Sequence, residues 1–214
     1  MSQEIKVEEI TSEAQRIELG EGPHWDASSQ SLYYVDILAG AIQRYDFKSG
    51  DIFRATVRDD NSPIGFIIPI EGTTDEFIVG AGRRLLVVKW DGTSSQAIPM
   101  KAIADIDSNL PGNRINDGKA DPRGVLFFGS MGDEEKFDLS KTRVGTFYDF
   151  KNETGLTALK AGVGISNGLT WDIKRKKFYY IDSVTRDIKQ FDYNPLTSEI
   201  CKSCVSWSGF NSKL

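Results

Sequence analysis

Two stretches of this chain repeat one another at a fixed distance of 146 residues. Trp25-Asp26 returns as Trp171-Asp172, Tyr33-Tyr34-Val35-Asp36 as Tyr179-Tyr180-Ile181-Asp182, Ile42 as Ile188, and Tyr45-Asp46 as Phe191-Asp192. A constant offset held over about twenty positions without a gap implies one structural unit used twice, and such repeats constrain the fold more than any local propensity.

Two weaker copies lie between them. Glu76-Phe77-Ile78-Val79-Gly80 is followed by Leu85 to Gly92, and Gly124 to Gly129 is followed by Gly145 to Phe150. The four apolar runs start near Tyr33, Phe77, Leu126 and Tyr179, a spacing of about 49 residues that suits four-stranded propeller blades. Apolar and aromatic runs of strand length alternate with turn chemistry throughout, and no segment keeps a helical period over several turns, so the chain reads as all-β. Lys48-Ser49-Gly50 and Trp90-Asp91-Gly92 read as hairpin turns. The tryptophans and tyrosines read as packing between sheets.

With 39% hydrophobic and 27% charged residues the chain has enough apolar material for a core. Its formal charge of -5 is dispersed, which leaves no basic footprint for nucleic acid. The first fifteen residues lack an apolar stretch behind a basic start, and no run reaches membrane-spanning length, so a cytoplasmic protein without a membrane role is expected. Cys201 and Cys204 form a single CxxC and are expected to be two reduced thiols rather than a zinc or redox site.

Three segments combine glycine with Glu, Asn, Asp or Arg: Gly20-Glu21-Gly22-Pro23, Asn113-Arg114-Ile115-Asn116-Asp117-Gly118-Lys119, and Ile165-Ser166-Asn167-Gly168-Leu169. They are expected to be loops that converge on one end of a central channel. Oxygen ligands without His or Cys neighbours suit a hard divalent cation, although each Asn-Gly or Asn-Asp-Gly on its own also reads as a plain turn.

In their order, LGEGPHW, NRINDGKADPRG and ISNGLTWD resemble the signature segments of the regucalcin, senescence-marker-protein and gluconolactonase family, to which insect luciferin-regenerating enzymes and anterior fat body proteins are similar. The resemblance runs from about Gly20 to Tyr193. It implies a six-bladed β-propeller and metal-dependent hydrolysis of sugar lactones. Carried over residue by residue, it implies Glu21 and Asn167 as metal ligands and Arg114, Asn116 and Glu134 as substrate contacts, the Glu134 match having the least similar flanks. The implied cofactor is a divalent cation, Ca2+ first, with Zn2+, Mn2+ or Mg2+ as alternatives. Asp117 is open between a role behind the substrate asparagine and a turn cap. His24, the only histidine, is expected to be structural beside Trp25.

The chain departs from the family pattern after Asp192. The Pro-Asp-Gly segment that supplies the family's third metal ligand and general base is absent, so no catalytic residue is assigned. The expectation is a single incomplete propeller over residues 1–214 covering about four blades, with the family-like region at 17–200 and a divergent tail at 197–214, C-terminally truncated. Little or no lactonase activity would follow, with self-association through open sheet edges. The alternative is a non-enzymatic calcium-binding regulatory protein.

Overall fold

The computed structural model describes residues 6–10, 16–58 and 62–208, the last seven of these by their backbone only. Every regular element among them is a strand, and the sixteen strands form four antiparallel meanders of four. The first unit comprises β1 (Gly20–Asp26), β2 (Ser31–Asp36), β3 (Ala41–Asp46) and β4 (Ile52–Val57). The second comprises β5 (Ile64–Pro69), β6 (Glu76–Ala81), β7 (Arg84–Lys89) and β8 (Gln96–Asp105). The third runs through β9 (Arg114–Ala120), β10 (Leu126–Met131), β11 (Gly145–Lys151) and β12 (Gly155–Val163), and the fourth through β13 (Ser166–Asp172), β14 (Lys177–Asp182), β15 (Asp187–Asn194) and β16 (Glu199–Ser208). A short parallel pairing, Thr56 with Gln96 and Val57 with Ala97, joins the first two units into one eight-stranded sheet.

The all-β expectation holds, and each unit begins one strand before the apolar run that marked it in the sequence. The first strands β1, β9 and β13 mix polar residues with glycine, which is why hydrophobicity alone did not reveal them, whereas β5 is apolar and buried. The expected turns are present: Gly50 and Gly92 both take φ of 78°, a left-handed conformation open to glycine at no steric cost.

Alternation along the second strands builds the core. A strand sends successive side chains to opposite faces, so each of these strands can pack against two neighbouring units. Tyr33 and Val35 of β2 meet Phe77 and Val79 of β6. On the other face of β6, Ile78 joins the cluster that holds Leu126 and Phe128 of β10. Phe127 of β10 then joins Phe178 and Tyr180 of β14. Aromatic contacts reinforce the seams, Tyr33 lying 5.2 Å from Phe77 and Phe147 lying 4.5 Å from Tyr180 between ring centroids. Trp90 is buried in the first seam, whereas Trp25 stands at the surface and packs edge-on against Phe47.

The first strands pack directly on one another, β9 touching both β5 and β13. Glycine makes this approach close: a Cβ on Gly65 would lie 2.2 Å from the carbonyl oxygen of Asn116, and one on Gly129 would lie 2.1 Å from Ser166 Oγ.

Candidate functional site

The three glycine-containing segments expected as loops are parts of strands β1, β9 and β13, each carrying a bulge. The pairing of β1 with β2 slips between Glu21 and His24, that of β13 with β14 between Asn167 and Leu169, and that of β9 with β10 opposite Phe128 and Ser130. Strand β5 slips in the same place, between Ile64 and Ile67. A bulge bends the strand and re-aims the side chain beside it, and the glycines in these segments permit it.

The registers define one equivalent position in all four units. Gly20 faces Asp36, Ser166 faces Asp182, Arg114 faces Met131 and Ile64 faces Ala81, each pair at the last residue of a second strand. The next residue along each first strand is Glu21, Asn167, Ile115 and Gly65, and Asn116 follows Ile115 in the bulge of β9. The fold thus brings the two sequence-predicted metal ligands to the same address in two units, with one predicted substrate residue a single position further along in the third, at the same end of the first strands. The second unit supplies a glycine there.

The carboxylates at the ends of β2 and β14 anchor two of these strand starts. Asp36 accepts bonds from the backbone nitrogens of Glu18 and Leu19, at 3.3 and 3.1 Å, and from Arg54 Nη1 at 3.0 Å. Asp182 accepts from the nitrogens of Gly164 and Ile165, both at 3.1 Å. These are the same interaction 146 residues apart, with a buried carboxylate satisfied by backbone donors that lead into the site.

Glu21 is exposed and shares a cleft of about 180 Å3 with His24, Asp117, Lys119 and Gly168. Burial pushes the Asp117 carboxyl up to about 6, against a bond of 2.8 Å from the Gly118 nitrogen and with the nearby charge of Glu21 adding to the rise. Burial holds His24 below its usual value, partly offset by Asp26, so its imidazole is neutral more readily than in water. Asn167 donates from Nδ2 to Ser183 Oγ at 3.1 Å and accepts from the Gly168 nitrogen at 3.3 Å.

Asn116 is buried and bonded through both its amide nitrogen and its oxygen. Its Nδ2 donates to the Ser166 carbonyl at 2.8 Å, and its Oδ1 accepts from Arg114 Nη1 at 2.7 Å, tying the third unit to the fourth. Arg114 also donates to the Ile115 carbonyl at 3.3 Å. Its guanidinium is lowered by burial and supported by the charge of Glu134. Arg114 and Glu134 line a second, larger cavity of about 740 Å3, which also takes in Arg83, Arg84, Asn113 and Asp133. Glu134 sits in the β10–β11 connection, next to the end of β10.

The geometry therefore separates the predicted residues into two adjoining groups. Glu21 and Asp117 face the smaller cleft, whose rim includes Gly168 next to Asn167; Arg114 and Glu134 face the larger cavity, and Asn116 lies between strands at the junction. Among the described residues, no three His, Cys, Asp or Glu side chains gather as a metal-holding set. The donor chemistry of the smaller cleft nevertheless fits a hard cation, since Glu21 and the partly buried Asp117 are oxygen donors, and the amide of Asn167 stands next in the chain to its rim at Gly168. Asp117, open in the sequence between a role behind the substrate asparagine and a turn cap, bonds the next backbone nitrogen and also faces the cleft beside Glu21, and Ser183, which no sequence motif marks, is set against Asn167 by the fold. Cys201 is exposed, and the side chain of Cys204 lies outside the described residues.

Four bulged first strands meeting at one polar end, each backed by an apolar meander, are what comparison with known proteins recovers. The chain belongs to the SMP-30/Gluconolactonase/LRE-like family, whose model matches residues 19–209. Chicken regucalcin is 32% identical over 196 residues, a match covering 92% of this chain and 62% of the relative. A solved luciferin-regenerating enzyme superposes with a TM-score of 0.80 at 32% identity, over 89% of this chain and 60% of that one. A calcium-binding regucalcin from Agrobacterium tumefaciens superposes with a TM-score of 0.75 at 21% identity, over 91% of this chain and 62% of that one, which speaks for the fold. The chain thus spans a little over three fifths of the length of the relatives it matches. No helix among the described residues is long and apolar enough to cross a membrane.

Proposed function

We propose that this chain carries the first four blades of a β-propeller sugar lactone hydrolase that depends on a divalent metal. Glu21 and Asn167 hold the cation, Ca2+ before Zn2+, Mn2+ or Mg2+, while Arg114, Asn116 and Glu134 contact the sugar. The observation that carries this reading is the shared register position of Glu21 and Asn167, with Asn116 bonded through Nδ2 to the Ser166 carbonyl beside Asn167, which turns three scattered motifs into one polar end. Membership of a family named for gluconolactonase supports the reaction class.

The chain's own residues divide the work. Arg114, braced on Asn116 Oδ1, presents donors to a ring or carbonyl oxygen in the larger cavity, and Glu134 across from it accepts from sugar hydroxyls. Asn116 carries this arrangement to the β13 start through the Ser166 carbonyl, so the substrate side and the metal side move together. Once bound, a dication supplies Lewis-acid polarisation of the lactone carbonyl. Glu21 and Asn167 provide one anionic and one neutral ligand, so on these 214 residues alone binding is weak and turnover low.

The test is hydrolysis of D-glucono-1,5-lactone by the purified chain and by a family-length relative under a Ca2+ titration and with EDTA. Activity in either that is indifferent to EDTA overturns the metal assignment. A second reading, a calcium-binding protein without catalysis, draws on the calcium-binding regucalcin of similar fold and on the paired carboxylates Glu21 and Asp117. Saturable Ca2+ binding with no lactone turnover in the family-length protein favours it.

A further inference from the structure

Behind the larger cavity lies a carboxylate that the proposed chemistry does not use. Asp107 stands in the connection between β8 and β9, where the chain passes from the second unit to the third. Three donors converge on it. Asn113 Nδ2 donates to Oδ2 at 2.7 Å, Ser130 Oγ donates to the same oxygen at 2.6 Å, and the Tyr148 hydroxyl donates to Oδ1. Its backbone carbonyl accepts from Leu110 N at 2.8 Å and from Arg83 Nη1 at 3.2 Å. One residue thus gathers the β6–β7 turn, strands β10 and β11, and the segment leading to Arg114.

The donor set distinguishes this cluster from ordinary turn capping. An amide, a hydroxyl and a phenol all donate, so an acceptor-only group is needed at the centre, which an ionised carboxylate supplies and an asparagine does not. Asp107 also takes φ of 47°, a left-handed conformation that Asp tolerates better than most non-glycine residues, so the turn it makes is compatible with its place at the centre of the cluster. Burial, with the bond to Asp107 adding to it, pushes the Tyr148 hydroxyl up to about 12, so it remains a donor throughout the physiological range.

We infer that Asp107 is a positioning residue for substrate recognition: through Asn113 it sets the entry into β9, and so fixes the Arg114 guanidinium against Asn116 at the cavity wall. Asn113 carries the coupling because its Nδ2 also donates to the Val144 carbonyl at 3.0 Å and its backbone nitrogen donates to Leu110 O at 2.9 Å. Its neighbour Arg114 therefore leaves a segment held on three sides. The inference rests on the lactonase reading for what Arg114 binds, but not for how Arg114 is held.

The test uses the purified chain and its Asp107→Asn and Tyr148→Phe variants, with phenylglyoxal labelling of each arginine under native conditions followed by peptide mass mapping. Loss of a bond to a charged group should speed labelling of Arg114 about tenfold in Asp107→Asn, and less in Tyr148→Phe, which removes one bond of the three. Labelling of the surface residue Arg175 and of Arg44, which lies in the first unit, should not change. Unaltered Arg114 labelling in Tyr148→Phe and in a folded Asp107→Asn overturns the inference. If Asp107→Asn accelerates every arginine, it has unfolded and Tyr148→Phe decides alone. A second arm measures D-glucono-1,5-lactone kinetics with the same substitutions in a family-length protein, with KM expected to rise about tenfold and kcat to stay within about twofold. Absence of turnover in the unmodified family-length protein counts against the lactonase reading, while labelling still decides the role of Asp107.

Discussion

Glu21 faces Val35 across β1 and β2 as Asn167 faces Ile181 across β13 and β14, the two pairs lying 146 residues apart with a bulge following each. The backbone thus offers the same address twice and fills it once with a carboxylate and once with an amide. An amide oxygen is a neutral ligand, so under the proposed assignment the charge that would hold a dication at this pair comes from Glu21 alone.

Glu21→Gln tests that division. It keeps the shape and removes the negative charge, so Ca2+ affinity measured by calorimetry in a family-length protein should fall about tenfold or more, with part of the activity returning at excess metal. Unchanged affinity would remove Glu21 from the ligand set.

Asp117 should make metal-free stability depend on pH. Its folded-state value of about 6 lies above its ordinary 3.8, so the folded protein retains a proton that the unfolded chain releases. The stabilising contribution is full below about 4 and is lost as pH rises through about 6, reaching at most ~3 kcal/mol. Asp117→Asn should therefore be more stable than the parent at pH 8 in EDTA, with the gap closing toward pH 4; urea unfolding at the two pH values measures it.

Gly65→Ala should damage both fold and site. The added methyl would meet the Asn116 carbonyl oxygen at 2.2 Å, so β5 and β9 must separate. Overpacking of this kind costs ~1–3 kcal/mol or more, readable as a lower urea midpoint.

Tyr193→Phe isolates one tie between the third and fourth units. The Tyr193 hydroxyl donates to Asp121 Oδ2 at 2.6 Å in a buried setting. Bonds to charged groups contribute ~1.5–3 kcal/mol, and that loss should appear in thermal unfolding while lactone and metal binding stay unchanged.

Self-association is expected from the outer face of the fourth unit. Tyr33, Val35 and Ile42 are 6%, 0% and 0% exposed against the second unit, whereas their equivalents Tyr179, Ile181 and Ile188 stay partly exposed beside an apolar cleft. Apolar surface left in water costs ~25 cal/mol per Å2, so sedimentation of the 214-residue chain should show concentration-dependent association that Ile181→Lys reduces. A monomer at all concentrations would count against it.

The second strands were legible in the sequence because their apolar runs repeat, and the 146-residue offset already paired Glu21 with Asn167. The first strands were not, because Gly20 to Pro23 and Ser166 to Leu169 carry loop composition, and the pairing that makes them strands is supplied by Asp36, Asp182 and the neighbouring meander. Asn116 joined Glu21 and Asn167 only through the packing of β9 on β13 and its bond to the Ser166 carbonyl, since no sequence offset links it to them. Gly65 could not be found at all by looking for chemical groups; its contribution is the space it leaves for Asn116.

That space divides these addresses by their freedom to change. At positions 21 and 167 a side chain extends from a backbone already held by its own sheet, so exchanging one oxygen donor for another leaves the framework in place. At position 65 the neighbouring strand occupies the volume a side chain would need, and the residue is fixed by its lack of one. Divergence among proteins built on this framework should therefore proceed at the first and fourth units and stall at the second.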